Sequence, residues 1–358
     1  MYRNTKNVPY YVFGRGSLAQ LDDLLKPRRE AVDGPVVYFV DHFFRDHELI
    51  GRLPMEKGDQ LHFVDSSSEP EVTRIDAFKE AVSAADSRTP CCVVGIGGGN
   101  ALDTAKAVAN LLTNPGKAED YQGWELVKNP AVYKIGIPTL SGTGSECSRT
   151  CVLTNIPENL KLGMNSDYTV YDQLLLDPDL LATVPRDQYF YTGIDTFMHC
   201  VESLQGSYRN AIIDAFSVRA VQLCEEIFLS DDMMSEENRE KMMIASYIGG
   251  MAAGNVGVIH PFSAGLGVVL HVAHGLGNCL ALNVLGDIYP KEYKQFRTMI
   301  ERQGVNLPTG ICKDLTEEQY EGLYRGCIVH EKPLTNALGP DFKQILTREN
   351  LIERYKSI

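Results

Sequence analysis

The sequence predicts an α/β domain with a parallel sheet, followed by an all-helical domain. In the first half, short apolar runs alternate with amphipathic segments of helical period, as they do in strand–helix–strand units. After Pro185 the strand patterns nearly vanish and helix-like segments follow one another. We therefore expect residues 1–184 to form the α/β domain and residues 185–358 to form the helical domain.

Individual elements follow from the same patterns. Strands are expected at residues 8–14, 35–40, 60–64, 91–96 and 134–138, the first of them at a sheet edge because Pro9 lacks a donor. Helices are expected in the first half at 17–25, 72–85 and 101–112, and in the second half at 211–228, 235–250 and 316–330. The run 35–40 is apolar throughout, which is typical of a buried parallel strand.

Composition restricts the class of protein. The chain has 358 residues, of which 44% are hydrophobic and 23% charged, and its formal net charge is -13. These values are ordinary for a globular protein, and the negative charge argues against a partner that is nucleic acid or an anionic membrane. An anionic small molecule held by a few local Lys or Arg residues is still compatible with it.

Cysteine use and hydropathy indicate a cytoplasmic protein. Residues 1–7 lead into no apolar run, so we expect no signal peptide, and the apolar stretch 259–270 contains a proline and is too short to span a bilayer. The nine Cys form no C-x-x-C pair. We interpret all of them as reduced, structural thiols.

The segment 192–202 contains half of a candidate metal site. We expect it to open a buried helix, and its Asp195 and His199 are four residues apart, so their side chains share one helical face. His260 and His274 follow downstream among few other charged residues. One Asp with three His suits Zn²⁺ or Fe²⁺. The alternative is that Asp195 caps the helix and His199 is a hydrogen-bonded core residue.

Two glycine-rich turns indicate a dinucleotide. Residues 95–100 lie between an expected strand and helix, where small residues allow backbone amides to approach a pyrophosphate, and 138–146 follows another strand with hydroxyls and further amides. Asn100 replaces the last glycine of the usual pattern, and such a turn can also be a plain tight turn. Asp41, at the end of a strand, could accept the ribose hydroxyls, which would favour NAD over NADP.

Together these motifs resemble the iron-containing (group III) alcohol dehydrogenase family over nearly the whole chain. Residues 97–106 are similar to the family's G-G-G-S-x-x-D-x-x-K motif, and 138–146 match its P-T-x-x-G-T-G-S-E motif. The run 192–199 matches T-G-x-D-x-x-x-H, and His260 and His274 fall on the third and fourth metal ligands.

The resemblance implies roles for individual residues, an oxidoreductase that acts on a small-molecule alcohol (a sugar acid among the candidates), and a homo-oligomer. It implies a cleft between the two domains. Residues and resemblance together place the metal at Asp195, His199, His260 and His274, and the dinucleotide at Asp41, Gly97, Gly98, Asn100, Asp103, Thr139, Ser141 and Lys161. The resemblance implies that Lys161 lies at the nicotinamide ribose. The metal would act as a Lewis acid on the substrate hydroxyl while hydride passes to the nicotinamide.

The sequence also departs from the family pattern. Many members have a histidine four residues after the third metal ligand, facing the nicotinamide, and here that residue is Ala264. His271 is the nearest substitute and is our candidate catalytic residue, although it could equally support a ligand or contact the substrate. Glu202, one turn after His199, is either a hydrogen-bond partner of the metal site or a surface charge.

Two other functions share these residues. Lyases resembling dehydroquinate synthase use bound NAD on the same fold, but they would need more basic residues near the metal than Arg186, Arg209 and Arg219 supply. A non-catalytic binding protein is favoured only by Ala264. The sequence leaves open whether the metal is Fe²⁺ or Zn²⁺, and whether the electrons leave on NAD or on dioxygen.

Overall fold

A computed structural model describes residues 6–158 and 160–358 of the chain. The residues group into two compact units. One comprises the chain up to Leu140 together with Ser145–Asn155 and Leu162–Thr183; the other comprises Ser141–Gly144, Ile156–Lys161 and Val184–Ile358. The expectation about a signal peptide falls mostly on residues outside the described part, and the domain boundary at residue 184 remains a proposal.

The first unit is built on a six-stranded sheet, whose strands are β1 (Tyr10–Phe13), β2 (Val36–Asp41), β3 (Gln60–Val64), β4 (Cys92–Gly97), β6 (Lys134–Pro138) and β9 (Gln173–Leu176). Their order across the sheet is β1-β9-β6-β4-β2-β3. Neighbouring strands pair in parallel. The expected parallel sheet is confirmed, including the position of β1 at its edge.

Helices pack on both faces of this sheet, which is why the central strands β4 and β6 are buried along their whole length. In β2, Val37 and Phe39 belong to one buried cluster, whereas Val36, Tyr38 and Val40 belong to another on the opposite face. The helices of this unit are α1 (Leu21–Ala31), α2 (Glu48–Gly51), α3 (Val72–Ala85) and α4 (Gly99–Leu111).

The strand order places a topological switch point between β2 and β4. The chain continues from β2 to β3 on one side and from β4 to β6 on the other. In open parallel sheets, ligands bind where two such connections diverge at the carboxyl ends of the strands. Asp41 ends β2 and Gly97 ends β4, so the expected dinucleotide residues occupy this position.

A second, three-stranded sheet was not expected from the sequence. Its order is β5-β8-β7, formed by Gly123–Trp124 (β5), Leu160–Asn165 (β8) and Thr150–Asn155 (β7). Along β7 buried and partly exposed residues alternate, so a period-two signal was present in the sequence. β8 contains Gly163, which weakens the strand pattern.

The second unit is helical, as expected. Its longest helix, α5, spans Arg186–Gln205 and begins directly after Pro185. Segment 192–202 therefore lies inside α5, and our expectation that it opens a helix was wrong; the interpretation of Asp195 as a helix cap fails with it. The helices that follow are α6 (Ala211–Phe228), α7 (Glu236–Gly249), α8 (Ile259–Leu270), α9 (His274–Val284), α10 (Pro290–Gln303), α11 (Glu317–Ile328), α12 (Glu331–Leu338), α13 (Phe342–Ile345) and α14 (Arg348–Lys356).

No single helix in the described part of the chain has the length and apolar composition needed to cross a membrane. One pair of segments, Glu236–Asn255 and Ile259–Leu270, passes that test jointly by length and composition, with a bend of 92° between them.

Candidate metal centre and dinucleotide site

The metal candidates meet in the helical unit. Asp195 and His199 project from one face of α5, and both are buried. His260 lies in the first turn of α8, and His274 is the first residue of α9. One ligand atom from each of these four side chains can be chosen so that all four atoms lie within 4.8 Å of one another.

The three imidazoles direct the same nitrogen toward one carboxylate. His260 Nε2 lies 3.1 Å and His199 Nε2 3.8 Å from Asp195 Oδ1, and His274 Nε2 lies 3.5 Å from Asp195 Oδ2. The rings of His199 and His260 are stacked, with centroids 4.4 Å apart. Three imidazole nitrogens and a carboxylate converging on one point form a set of donors for a single cation.

Burial and charge act on these groups in opposite directions. Burial favours the neutral form of Asp195, but the nearby histidines outweigh it and hold the pKa of that carboxyl below its usual value. Burial lowers the pKa of His199 to about 3, although the negative charge of Asp195 acts to raise it. For His260 burial also opposes protonation, but the charge of Glu202 and hydrogen bonds to Asp195 and Glu202 raise the pKa to about 9.

Glu202 orients His260 from behind. His260 Nδ1 donates to Glu202 Oε2 at 2.5 Å, which leaves Nε2 facing the other ligands. Glu202 is buried, and its Oε1 accepts from the Ile259 amide at 2.6 Å and from the Tyr289 hydroxyl at 3.2 Å. The interpretation of Glu202 as a surface charge is therefore wrong, because the carboxylate is an interior hydrogen-bond partner of a candidate ligand.

Asn278 is a residue of the site that sequence reasoning missed. Its Nδ2 donates to Asp195 Oδ1 at 2.7 Å and lies 3.3 Å from His274 Nε2. Asn278 follows His274 by four residues on α9, so the helical spacing could have indicated it once His274 was chosen.

The donor set fits the implied metal. Asp195 Oδ2 is buried and accepts no hydrogen bond from the residues that the structure describes. Leaving a buried carboxylate oxygen in that state is costly unless a cation completes it. One carboxylate and three imidazoles are ligands that both Fe²⁺ and Zn²⁺ accept.

His271 and Ala264 lie near these ligands in the sequence but differ in environment. His271 ends α8 in the left-handed conformation, with φ of 55°, and its side chain is exposed. It is not a member of the four-residue ligand group. Ala264 is buried on α8, one turn after His260 and on the same helical face. A catalytic role for His271 remains a prediction.

At the switch point of the first unit, Asp41 and the glycine turn lie side by side. A Cβ at Gly97 would come within 2.9 Å of the Asp41 Cβ, and Gly97 has a φ of 152°, so only glycine fits there. Asp41 Oδ1 accepts from the Phe43 amide at 3.0 Å and from Ser66 Oγ at 2.8 Å. These bonds fix the carboxylate at the end of β2.

Gly98 is a glycine that the fold itself does not require. It precedes the first residue of α4 with φ of -78°, and the nearest atom to a Cβ there would be Leu140 Cδ2 at 3.4 Å. Neither strain nor backbone contact excludes a side chain. A bare backbone at a helix N-terminus is a cradle for a phosphate, so this position fits the implied dinucleotide.

Asn100 and Thr139 complete the arrangement at this sheet edge. Asn100 Nδ2 donates to the carbonyls of Ser68 at 2.8 Å and Ser66 at 3.4 Å, and thereby holds the loop after β3. The Thr139 amide donates to the Gly97 carbonyl at 3.0 Å. The structure thus brings Asp41, Gly97, Gly98, Asn100 and Thr139 together at the ends of β2, β4 and β6.

Asp103 is committed to bonds within the protein. One of its oxygens accepts from the Ser145 hydroxyl and the other from the Val152 amide at 2.8 Å. Lys106, one turn later on α4, is fully buried and donates to the Ser145 carbonyl at 2.8 Å and to Ser148 Oγ at 3.2 Å. The pair fastens the segment after the second glycine-rich turn to α4, which favours a positioning role for Asp103 over direct contact with a cofactor.

Ser141 and Lys161 belong to the helical unit. The turn that contains Ser141 is tied to that unit because the Gly142 amide donates to Ser246 Oγ at 2.8 Å and Thr196 Oγ1 donates to the Gly142 carbonyl at 2.9 Å. Ser141 Oγ is buried and has no hydrogen-bond partner among the described residues. A buried hydroxyl in this state fits a role in binding a ligand. Lys161 is buried as well.

The fold corresponds to that of known structures. Over 99% of this chain, alcohol dehydrogenase from Oenococcus oeni superposes with a TM-score of 0.83 at 21% identity, covering 99% of that chain. The crystal structure of sulfoacetaldehyde reductase from Bifidobacterium kashiwanohense in complex with NAD⁺ gives a TM-score of 0.80 at 24% identity and covers 99% and 98% of the two chains. At these identities the likeness shows the fold, and it confirms the predicted combination of an α/β and a helical domain.

The family follows from the sequence itself. The model of iron-containing alcohol dehydrogenase matches residues 9–178, and that of the Fe-containing alcohol dehydrogenase family C-terminal region matches residues 189–322. The chain belongs to the iron-containing alcohol dehydrogenase family, and the resemblance noted from its motifs is confirmed.

Curated relatives of this chain carry different substrate names. Sulfoacetaldehyde reductase of Bilophila wadsworthia is 34% identical over 220 residues, 60% of this chain and 56% of that protein. NAD-dependent methanol dehydrogenase of Bacillus methanolicus is 29% identical over 278 residues, 75% of this chain and 71% of that protein. The match thus spans little more than half the length of the first relative.

Proposed function

We propose that this protein is a metal-dependent oxidoreductase that interconverts a small primary alcohol and its aldehyde, with NAD as the redox cofactor. The observation that carries the proposal is the group of one carboxylate and three imidazoles within 4.8 Å, in a chain of the iron-containing alcohol dehydrogenase family. The relatives reduce or oxidise aldehydes and alcohols by their names.

The chain's own residues hold and orient the reacting groups. When bound, the metal (Fe²⁺ or Zn²⁺) supplies a Lewis acid that makes an alcohol hydroxyl more acidic, and NAD supplies a hydride acceptor. Asp195, His199, His260 and His274 would hold the ion. Glu202 keeps the Nδ1 proton on His260 and so preserves Nε2 as a ligand.

NAD is proposed in preference to NADP because of Asp41. Its carboxylate is fixed at the carboxyl end of β2, beside the glycine turn. A ribose with free 2′ and 3′ hydroxyls can donate to that carboxylate, whereas a 2′-phosphate would be repelled by it.

For the substrate, we propose the C8 hydroxyl of 3-deoxy-D-manno-octulosonate (Kdo), a step in lipopolysaccharide sugar synthesis, as the first alcohol to test. The sequence as a whole resembles bacterial Kdo 8-oxidase. Ala264, in place of the histidine that many family members carry, supports a departure from ordinary NAD turnover, with dioxygen as an alternative electron acceptor. A proton route through His271 belongs to the same proposal.

The lyase alternative is less well supported. It needs basic residues at the metal, but Arg209 pairs with Asp214 at 2.9 Å and Arg219 with Glu226 at 2.9 Å, with side chains that are half exposed. Arg186 donates to the Gln303 carbonyl. These three guanidinium groups are already committed elsewhere.

We also propose a homo-oligomer that forms through strand β1. Tyr10, Tyr11 and Phe13 expose 67%, 57% and 39% of their surface, and within the described part of the chain β1 is bonded along one edge only. An exposed apolar edge strand is a site for pairing, and two copies of one strand can pair about a two-fold axis.

The function is tested by assaying the metal-loaded protein with Kdo. An anaerobic assay follows the absorbance of reduced nicotinamide, and a parallel aerobic assay follows peroxide. NADH formed without oxygen supports a dehydrogenase, whereas peroxide without free NADH supports an oxidase. Simple primary alcohols such as 1-butanol are assayed beside Kdo. If neither product forms with any of them, the proposed activity is wrong.

The matched variants are Asp195→Ala and Asp187→Asn. Asp195→Ala removes the central carboxylate of the ligand group, so we expect loss of bound metal and of activity while the α/β unit stays folded. Asp187, exposed in the first turn of the same helix, is the control and should retain both. Full activity in metal-free Asp195→Ala protein would contradict the mechanism.

A further inference from the structure

Asn278 stands between two of the candidate metal ligands. Its Nδ2 lies 2.7 Å from Asp195 Oδ1 and 3.3 Å from His274 Nε2, and the side chain is fully buried. A Cβ at Gly275, one turn earlier on α9, would lie 2.5 Å from the Tyr191 carbonyl oxygen of α5, so α9 lies closely against the helix that carries Asp195. The amide therefore has a fixed position beside the carboxylate.

The orientation of this amide follows from the carboxylate. A carboxylate that ligates a cation carries no proton, so both oxygens of Asp195 are acceptors. With the amide turned over, Asn278 Oδ1 would be a third acceptor, only 2.7 Å from Asp195 Oδ1. The nitrogen must therefore face the carboxylate, and one of its two N–H groups donates to Asp195 Oδ1.

This bond makes the two oxygens of Asp195 different. Two donors reach Oδ1 within the described part of the chain, Asn278 Nδ2 and, at 3.1 Å, His260 Nε2. His260 is itself a candidate ligand, so Asn278 alone of these two would remain on Oδ1 when an ion is held. Oδ2 is buried and accepts no hydrogen bond from the described residues, which leaves it for the ion.

We propose that Asn278 is a positioning residue that makes Asp195 a ligand through Oδ2 alone and so keeps one coordination position open for the substrate oxygen. The inference rests on the proposed function. A carboxylate can bind a cation through one oxygen or through both. A second contact through Oδ1 would fill a position that a catalytic site keeps open. The hydrogen bond from Asn278 opposes that contact, because a bond to a charged acceptor is strong in a buried site.

The other half of the amide supports this role. Asn278 Oδ1 is buried and accepts no hydrogen bond from the described residues. A buried carbonyl in that state destabilises the fold, so an apolar side chain of similar size would suit the packing of this position better. The amide is thus explained by the contact of its nitrogen with Asp195 and not by packing.

The test loads the protein with Co²⁺, whose visible absorption responds to its ligands, and uses azide as a probe of the open position. Asn278→Leu keeps the volume of the side chain and removes the donor. We expect the Kd for azide, from titration of the Co²⁺ absorption, to rise about tenfold or more, equivalent to at least about 1.4 kcal/mol. The affinity for Co²⁺, from competition with a chelator, should not fall, because Oδ1 becomes an additional ligand.

Asn283→Ala is the control. It removes a partly buried amide from the last turn of the same helix, where Asn283 Oδ1 accepts from Arg297 at 3.4 Å, and it should match the wild type in both affinities. A crystal structure of the wild type with Zn²⁺ needs no variant to fold. It should show Asp195 bound through Oδ2, with Oδ1 on Asn278; an ion bound through Oδ1 would overturn the inference.

Two results with Asn278→Leu would also overturn it. Unchanged azide affinity would mean that the amide does not control the open position. A loss of Co²⁺ affinity by about 10- to 100-fold, with azide binding unchanged, would mean that Asn278 only supports a ligand. Neither measurement requires turnover, so a wild type that binds Co²⁺ and azide but oxidises no alcohol contradicts the proposed function and leaves this inference standing.

Discussion

At the scale of single residues, Glu202 shows how the helical unit prepares a ligand. The carboxylate is buried and receives three hydrogen bonds, one of them from His260 Nδ1. A carboxylate behind a ligating imidazole selects the tautomer, orients the ring and raises its basicity.

We therefore expect Glu202→Gln to weaken metal binding by about 10- to 100-fold. The neutral amide oxygen of Gln is a weaker acceptor than a carboxylate for the N–H at His260 Nδ1. Competition with a chelator, followed by metal analysis of the protein, measures the change. Asp187→Asn controls for removal of a carboxylate from α5. An unchanged metal affinity in Glu202→Gln would mean that His260 does not depend on this contact.

Asp41 makes a second prediction at this scale. Asp41→Ala removes the repulsion of a 2′-phosphate, so the preference for NAD over NADP should fall by about tenfold or more, equivalent to at least about 1.4 kcal/mol. The ratio of kcat/KM for the two cofactors measures it. Asp46→Ala, an exposed carboxylate of the same segment, is the control. Ser66→Ala separates loss of the carboxylate from loss of its bond to the loop.

Sequence reasoning reached the candidate ligands but not everything that surrounds them. Asp195 and His199 share a helical face, so their spacing alone predicts convergence. Asn278 lies 83 residues from the carboxylate to which it donates. Its spacing of four residues from His274 could have indicated that it shares a helical face with that ligand, but the contact with Asp195 depends on the packing of α9 against α5, which no local pattern encodes.

At the scale of elements, α4 combines two functions. Its N-terminus faces the end of β4 at Gly98, and its buried face holds the segment after the second glycine-rich turn through Asp103 and Lys106. The helix was predicted from its strand–turn–helix context. The contacts of its buried face could not be predicted, because the partners of Lys106 lie 39 to 44 residues further along the chain.

Gly98→Ala tests the N-terminus of α4. The position has an ordinary φ and an ordinary contact distance for a Cβ, so the variant should fold. Because Ala is a poorer N-cap residue than Gly, its free energy of unfolding should fall by at most about 1 kcal/mol. The new methyl group would stand where a phosphate approaches, so we expect the Kd for NAD to rise at least about tenfold. Fluorescence titration with NADH and thermal melting separate the two effects. Unchanged affinity would mean that the pyrophosphate binds elsewhere.

At the scale of the whole molecule, the edge strand β1 is the surface through which we propose that two copies of the chain pair. Its parallel neighbour β9 was not expected as a strand, although the edge position of β1 was predicted from Pro9. The sequence predicted a homo-oligomer through the family resemblance alone, and the pairing surface that we propose follows from the exposure of Tyr10, Tyr11 and Phe13 in the structure.

Tyr11→Lys places a charge on this strand. Natural proteins often carry Lys on edge strands, where the charge prevents pairing with another chain. We expect a shift from oligomer toward monomer, measured by size-exclusion chromatography with light scattering. Ile212→Lys changes another exposed apolar residue, 70% exposed on α6, and should leave the mass unchanged. A wild-type protein that is monomeric at all concentrations would contradict the proposed assembly.

The nine cysteines, described above as reduced and structural, are all buried. A thiol reagent can therefore reach them only when the surrounding structure opens, and the rate of modification reports how often that happens. Cys92 and Cys151 report on the α/β unit, whereas Cys200 and Cys279, next in sequence to His199 and Asn278, report on the ligand-bearing helices α5 and α9. The molecule thus carries its own set of stability probes, and a cation that binds the folded helical unit should slow the labelling of Cys200 and Cys279 more than that of Cys92 and Cys151.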